Sequence, residues 1–171
     1  MSLVTFTVFV DHSQFFVEDD GLPYDDIWDL DATYSMVMKD HIGLKPGGLV
    51  IPTARSWGDV DVVVEVCETR PDVSFDGWDH VVECSILVSS GELTLSAPES
   101  GGSPDNPRVQ ISPGTYRVLV LSAGLNTVAG RPEPDGEDHY RLILWRGEAV
   151  DPIVHKRGVW DWPRPEDQLL G

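Results

Sequence analysis

At 171 residues the chain is long enough to bury a core without disulfide staples, and 41% hydrophobic with 24% charged residues is ordinary for a globular protein. Twelve Lys and Arg against 29 Asp and Glu leave a formal charge of −17, which repels nucleic-acid backbones and anionic lipid and draws cations inward. That charge argues against direct nucleic-acid binding, and no apolar run approaches the roughly 18 residues of a membrane helix, so a membrane span is not expected either.

The N-terminal Met-Ser-Leu-Val-Thr-Phe-Thr has no basic region of the kind a secretory signal carries. Cys67 and Cys84 are the only cysteines, too few for a disulfide framework, so a cytoplasmic setting is expected.

In chain order, Leu3 to Val10 reads as a strand with Val4, Phe6, Val8 and Val10 on one face. Asp11-His12-Ser13 supplies a bend, and Gln14 to Val17 resumes as strand. From Glu18 to Asp31 come seven carboxylates (Glu18, Asp19, Asp20, Asp25, Asp26, Asp29 and Asp31) with no Lys or Arg, read as a solvated loop. Ala32 to Ile42 is ambiguous between a short strand and a helical turn. Lys45-Pro46-Gly47-Gly48 is a turn before the strand Leu49-Val50-Ile51. Asp59 to Cys67 alternates, with Val60, Val62, Val64 and Val66 inward and Asp59, Asp61 and Glu65 outward, Val63 being the exception, as in a half-buried antiparallel strand.

Val81 to Val88 is a strand, and Ser89-Ser90-Gly91 predicts a hairpin into Glu92-Leu93-Thr94-Leu95. Residues 97–107 read as a surface loop. Pro113-Gly114 leads into Thr115 to Ser122, apolar on both faces and so placed centrally, with His139 to Trp145 as its hairpin partner. Asp151 to Lys156 supplies a last strand, and the Trp- and Pro-rich residues 159–171 read as a tail packed on the body. The pattern predicts one all-β domain over residues 1–171, an antiparallel β-sandwich or jelly-roll-like barrel of about 8–10 strands with no helix.

Four of the five histidines directly follow an aspartate (residues 11–12, 40–41, 79–80 and 138–139), which raises a His/carboxylate metal cluster. Adjacent side chains on a strand point to opposite faces, so each step offers one ligand, and no His-x-His step is present. In that reading His12, His80, His139 and Glu83 would converge in the mouth of a barrel enzyme. Strand ends and turns suit Asp and His equally well. The carboxylate run lacks the Gly and closing Glu of an EF-hand. There is no Gly-x-Ser-x-Gly, P-loop or Rossmann glycine pattern, so no cofactor is expected. Cys84 looks like a small core hydrophobe. Glu83 is expected to pair with Arg117 or Arg141 or to face solvent. Trp57, Trp78, Trp145, Trp160 and Trp162 could line a carbohydrate platform, although such residues more often serve as core and edge cover.

The segment His12-Ser13-Gln14-Phe15-Phe16-Val17-Glu18-Asp19, with Ile111-Ser112-Pro113-Gly114-Thr115-Tyr116-Arg117-Val118 far downstream, resembles a group of small bacterial all-β proteins of uncharacterised function. More remotely it resembles the competence protein J family, inhibitors of a DNA-entry nuclease. The resemblance implies an intracellular bacterial protein without catalysis, and it carries no inhibitory residue over. Together with the charge it favours an interaction domain that binds a basic protein such as a nuclease or toxin through Asp19, Asp20, Asp25, Asp26, Asp29 and Asp31.

Overall fold

Alternating β-branched and aromatic residues condense into two stacked sheets. The computed structural model describes residues 2–19, 28–128 and 136–158. In chain order the elements are β1 (Ser2–Val10), β2 (Gln14–Asp19), α1 (Leu30–Asp40), β3 (Gly43–Lys45), β4 (Gly48–Pro52), β5 (Gly58–Cys67) and β6 (His80–Val88). They continue with β7 (Glu92–Ser96), β8 (Arg108–Gln110), β9 (Gly114–Ala123), β10 (His139–Arg146) and β11 (Ile153–Lys156). The larger sheet has the order β1-β5-β10-β9-β6-β11, and the smaller has β3-β4-β2-β7-β8. The predicted all-β sandwich is therefore present, as two open sheets rather than a closed barrel, and its described strands exceed the 8–10 expected.

The main core lies between the sheets. Phe15, Val17, Leu49, Ile51, Leu93 and Leu95 of the smaller sheet meet Val62, Val82, Val118, Val120, Tyr140 and Leu142 of the larger. The rings of Phe15 and Tyr140 pack edge to face at 5.8 Å. A second core forms on the outer face of the larger sheet, where Val81, Leu119, Leu121, Ile143 and Trp145 are covered by Val73, Phe75 and Trp78 from the connection after β5. This double cover is why β9 reads as apolar on both faces, and its antiparallel pairing with β10 is the predicted hairpin.

Three expectations are corrected. Residues 30–40 form a helix, capped at its start by Asp29, whose side chain accepts from the Ala32 N–H at 3.0 Å, and closed by His41 in the left-handed conformation. Tertiary packing decides the ambiguity: Val37 and Tyr34, with Trp28, cover Phe16 and Val50 on the outer face of the smaller sheet. The predicted β6–β7 hairpin is instead a crossover, because β6 pairs with β9 and β11 while β7 pairs with β2 and β8. The sandwich is not wholly antiparallel, since β5 and β10 run parallel.

The bend at residues 11–13 is also a crossover between sheets. His12 and Ser13 both have positive φ (51° and 58°), the signature of a tight primed turn, and an Asp11–Gln14 bridge closes it.

Candidate partner-binding surface

The fold sorts the charges. Lys45 pairs with Glu18 (2.7 Å), Arg55 with Asp138 (2.7 Å), Arg108 with Glu92 (2.8 Å), Arg141 with Glu65 (2.5 Å) and Arg157 with Asp40 (3.4 Å). Arg70 and Arg117 both engage Glu83. The carboxylates left facing solvent include Asp59 and Asp61 on β5, Asp72 and Asp76 after it, and Asp29 and Asp31 at the start of α1. Most described cations are therefore neutralised within the fold, and the outward field is that of the carboxylates.

The predicted acidic site divides. Asp19 is buried, at 4% exposure, and does not face a partner. It ends β2 beneath the β6–β7 crossover, where its carboxylate accepts from the Ser89 N–H (2.7 Å), the Ser90 N–H (3.0 Å) and the Ser90 hydroxyl. Those donors satisfy an anion that would otherwise be costly to bury, so Asp19 pins the crossover. Asp29 and Asp31 are exposed, and both sit at the positive end of the α1 dipole. Asp20, Asp25 and Asp26 lie outside the described residues, as do Trp160, Trp162 and the tail 159–171.

The residues of the metal reading are not assembled into one site. His12 pairs with its neighbour Asp11 at 2.6 Å in the turn after β1. His139 contacts the Glu137 carbonyl at 2.9 Å and tilts against Trp78. Glu83 is fully buried on the outer face of the larger sheet, held by Arg117, Arg70 (2.9 Å) and His155 (2.9 Å). Burial alone would raise its pKa, but the hydrogen bonds from His155 and Arg117 and the Arg70 charge outweigh it and hold the carboxyl below the usual range. Among the described residues no group of three or more His, Cys, Asp or Glu is arranged to hold a metal ion. The Asp-His steps occupy turns and element ends: Asp11 and His12 pair with each other, while Asp79, His80 and Asp138 take partners distant in sequence.

Two of these histidines do meet. The rings of His41 and His80 pack edge to face at 4.9 Å between the end of α1 and the start of β6. The Gly158 N–H donates to His80 Nδ1 at 3.1 Å, so Nε2 carries the proton and donates to the Asp40 carbonyl at 3.0 Å. Burial, with the nearby His80 and Arg157, pushes His41 down to about 4, and burial lowers His80 as well.

Among the described residues, Trp57, Trp78 and Trp145 do not line up as a platform. Trp145 is buried in the second core, Trp78 is half-buried in its cover and Trp28 packs on α1, leaving Trp57 as the exposed one among the described residues. Cys84 is buried and its thiol is pushed up to about 12, as suits a core hydrophobe.

One buried network joins residues more than 80 positions apart, beyond the reach of the sequence reading. Arg55 Nε donates to Asp138 Oδ1 (2.7 Å), and the Tyr140 hydroxyl donates to Asp138 Oδ2 (2.7 Å) while accepting from the Ala54 N–H (2.8 Å). Asp138 and Tyr140 stand two apart and so share a strand face, the one local signal of this pairing.

The fold is not unique to this chain. Two solved structures share it. One is described as crocagin biosynthetic gene J, with a TM-score of 0.60 and 13% identity over 86% of this chain and 98% of that one. The other is ComJ of Bacillus subtilis, described as an inhibitor of the DNA degrading activity of NucA, with a TM-score of 0.55 and 10% identity over 86% of this chain and 96% of that one. At these identities the likeness is one of fold, and it agrees with the resemblance to competence protein J read from two short stretches. No protein-family model matches the chain, and neither does any curated protein. No helix among the described residues is long and apolar enough to cross a membrane.

Proposed function

We propose that this chain is a non-catalytic interaction domain that binds a basic protein, of the nuclease or toxin kind, and inhibits it. The observation that carries the reading is the partition of charge: Arg55, Arg70, Arg117 and Arg141 are tied to carboxylates inside the fold, and the exposed acids are left uncompensated. Such a surface accelerates encounter with a cationic partner and rejects nucleic acid. A fold shared with a protein described as a nuclease inhibitor supports the choice of partner class. Asp29 and Asp31, with Asp20, Asp25 and Asp26 from the same acidic run, are the contact residues in this reading, and Asp19 anchors the run at its start. A cytoplasmic setting fits the two free thiols.

The test is association of the purified chain with a basic nuclease, followed over a salt series by surface plasmon resonance. On-rates fall as salt rises, and replacing Asp25, Asp26 and Asp29 together by Asn weakens binding. Asn keeps the α1 cap that Asp29 supplies, so the loss reports charge rather than a frayed helix. Binding indifferent to salt, or a pull-down that recovers no basic protein, refutes the reading.

A further inference from the structure

The four sheet edges are not alike. At one edge of the smaller sheet β3 has three residues and ends in Lys45, and at the other β8 has three and begins with Arg108. At the far edge of the larger sheet β11 has four residues, carries His155 and Lys156, and breaks register between Val154 and Lys156. Short length, cationic side chains and a bulge are the devices that keep an edge from recruiting another strand.

The remaining edge, β1, has none of them. It runs nine residues, Ser-Leu-Val-Thr-Phe-Thr-Val-Phe-Val, without a charge or a proline, and pairs with β5 in unbroken register from Ser2 opposite Val66 to Val10 opposite Gly58. Among the described residues no strand pairs its other side. Large apolar side chains stand open along it: Leu3 is 57% exposed, Val4 44%, Phe9 44% and the adjoining Trp57 49%. A long, unbulged, apolar edge of this kind is a template for strand addition.

We infer that β1 is a docking edge that accepts an extended, cationic strand of a partner protein into the larger sheet. Charge chooses the occupant. Asp61 lies opposite Thr7 and Asp59 opposite Phe9, both exposed. A strand added beyond β1 would run about 10 Å from them, two strand spacings away. Long Lys or Arg stems laid over the small Thr7 and the flat Phe9 ring bring their heads to those carboxylates. A second copy of this chain meets the opposite situation, since β1 against β1 would draw together two bodies of charge −17. The inference rests on the cationic-partner reading above and adds a second point of attachment, on the larger sheet, with its mode of pairing.

The probe is a capped peptide of alternating Lys and Val matched to β1 in length, titrated into the full chain with residue-resolved amide hydrogen exchange as the readout. Binding slows exchange at the outward amides of β1. A Glu/Val peptide does not produce this, and neither does a Lys/Val peptide N-methylated at alternate residues, which keeps its charge but cannot form the ladder. The D59K/D61K chain binds the Lys/Val peptide roughly tenfold more weakly. Protection elsewhere than β1, or equal protection by the N-methylated peptide, overturns the inference. So does β1 protection in the peptide-free chain, whether it grows with protein concentration, as a second copy would produce, or persists at high dilution, as cover by the chain itself would. Salt-sensitive binding of a basic protein that survives D59K/D61K unchanged discards the edge and leaves the cationic-partner reading standing.

Discussion

Replacing Asp138 by Asn probes the most deeply buried ion pair of the fold. The Asp138 side chain is fully buried and that of Arg55 is 9% exposed. Arg55 also donates to the Asp59 carbonyl (2.7 Å) and the Gly136 carbonyl (2.9 Å), so it cannot swing out to solvent without abandoning both. Asn keeps the shape and one acceptor but leaves the guanidinium charge buried and uncompensated, a loss of about 3–5 kcal/mol when one member of a buried pair is removed. The retained acceptor places the expected value near the lower end, about 3 kcal/mol, which for a chain of this size lowers Tm by about 6–12 °C. Urea denaturation at neutral pH, with an unchanged m-value, measures it. Tyr140→Phe is the neutral comparison: it strands the Ala54 N–H, leaves Asp138 Oδ2 only the 3.4 Å bond from the Arg55 N–H, and costs about 1–3 kcal/mol. A loss below about 1 kcal/mol for Asp138→Asn, the range of exposed pairs, would refute the reasoning.

Two further predictions concern acid and buried charge. His41 and His80 have pKa values lowered by burial, so the unfolded chain binds more protons than the folded one below their ordinary value near 6.5. Stability is accordingly full above about pH 6.5 and falls as pH drops toward 4. His41→Asn tolerates the left-handed cap and flattens that slope in pH-resolved urea titrations, and an unchanged slope counts against the pair as its source. Glu83→Gln leaves Arg117 and Arg70 facing a neutral amide and destabilises the chain by about 2–3 kcal/mol at pH 7, less than for Asp138 because both arginines reach water. Since the Glu83 carboxyl is held below the usual range, its contribution is present above about pH 4.5 and lost below it, so wild type and variant converge in strong acid.

What the sequence disclosed follows how local each feature is. The β9–β10 hairpin and the alternation of β5 were legible because side-chain period and burial agree there. The destination of β7 was not. Ser89-Ser90-Gly91 is good turn chemistry, but Asp19 from a distant strand captures those amides and directs the chain to the other sheet. Glu65 is outward by phase and does lie on the outer face, yet it is buried beside Arg141 on a face carrying its own apolar cover. Helix α1 had its signals, Asp29 before it and Lys39 in its last turn, but the carboxylate run hid where it begins. The Asp-His steps are a real regularity whose meaning depends on tertiary placement, which joined His41 to His80 and left His12 and His139 apart.

The parallel seam between β5 and β10 constrains how the chain matures on the ribosome. Residues 58–67 cannot find their second neighbour until residues 139–146 have emerged, so the β5 flank of the β1–β5 ribbon stays open while the intervening chain is made. Closure of that seam is a late, long-range event of the kind that slows folding and exposes nascent chains to mispairing. Truncation before residue 139 would therefore free two ribbon edges instead of shortening one, and chaperone dependence should rise sharply at that boundary.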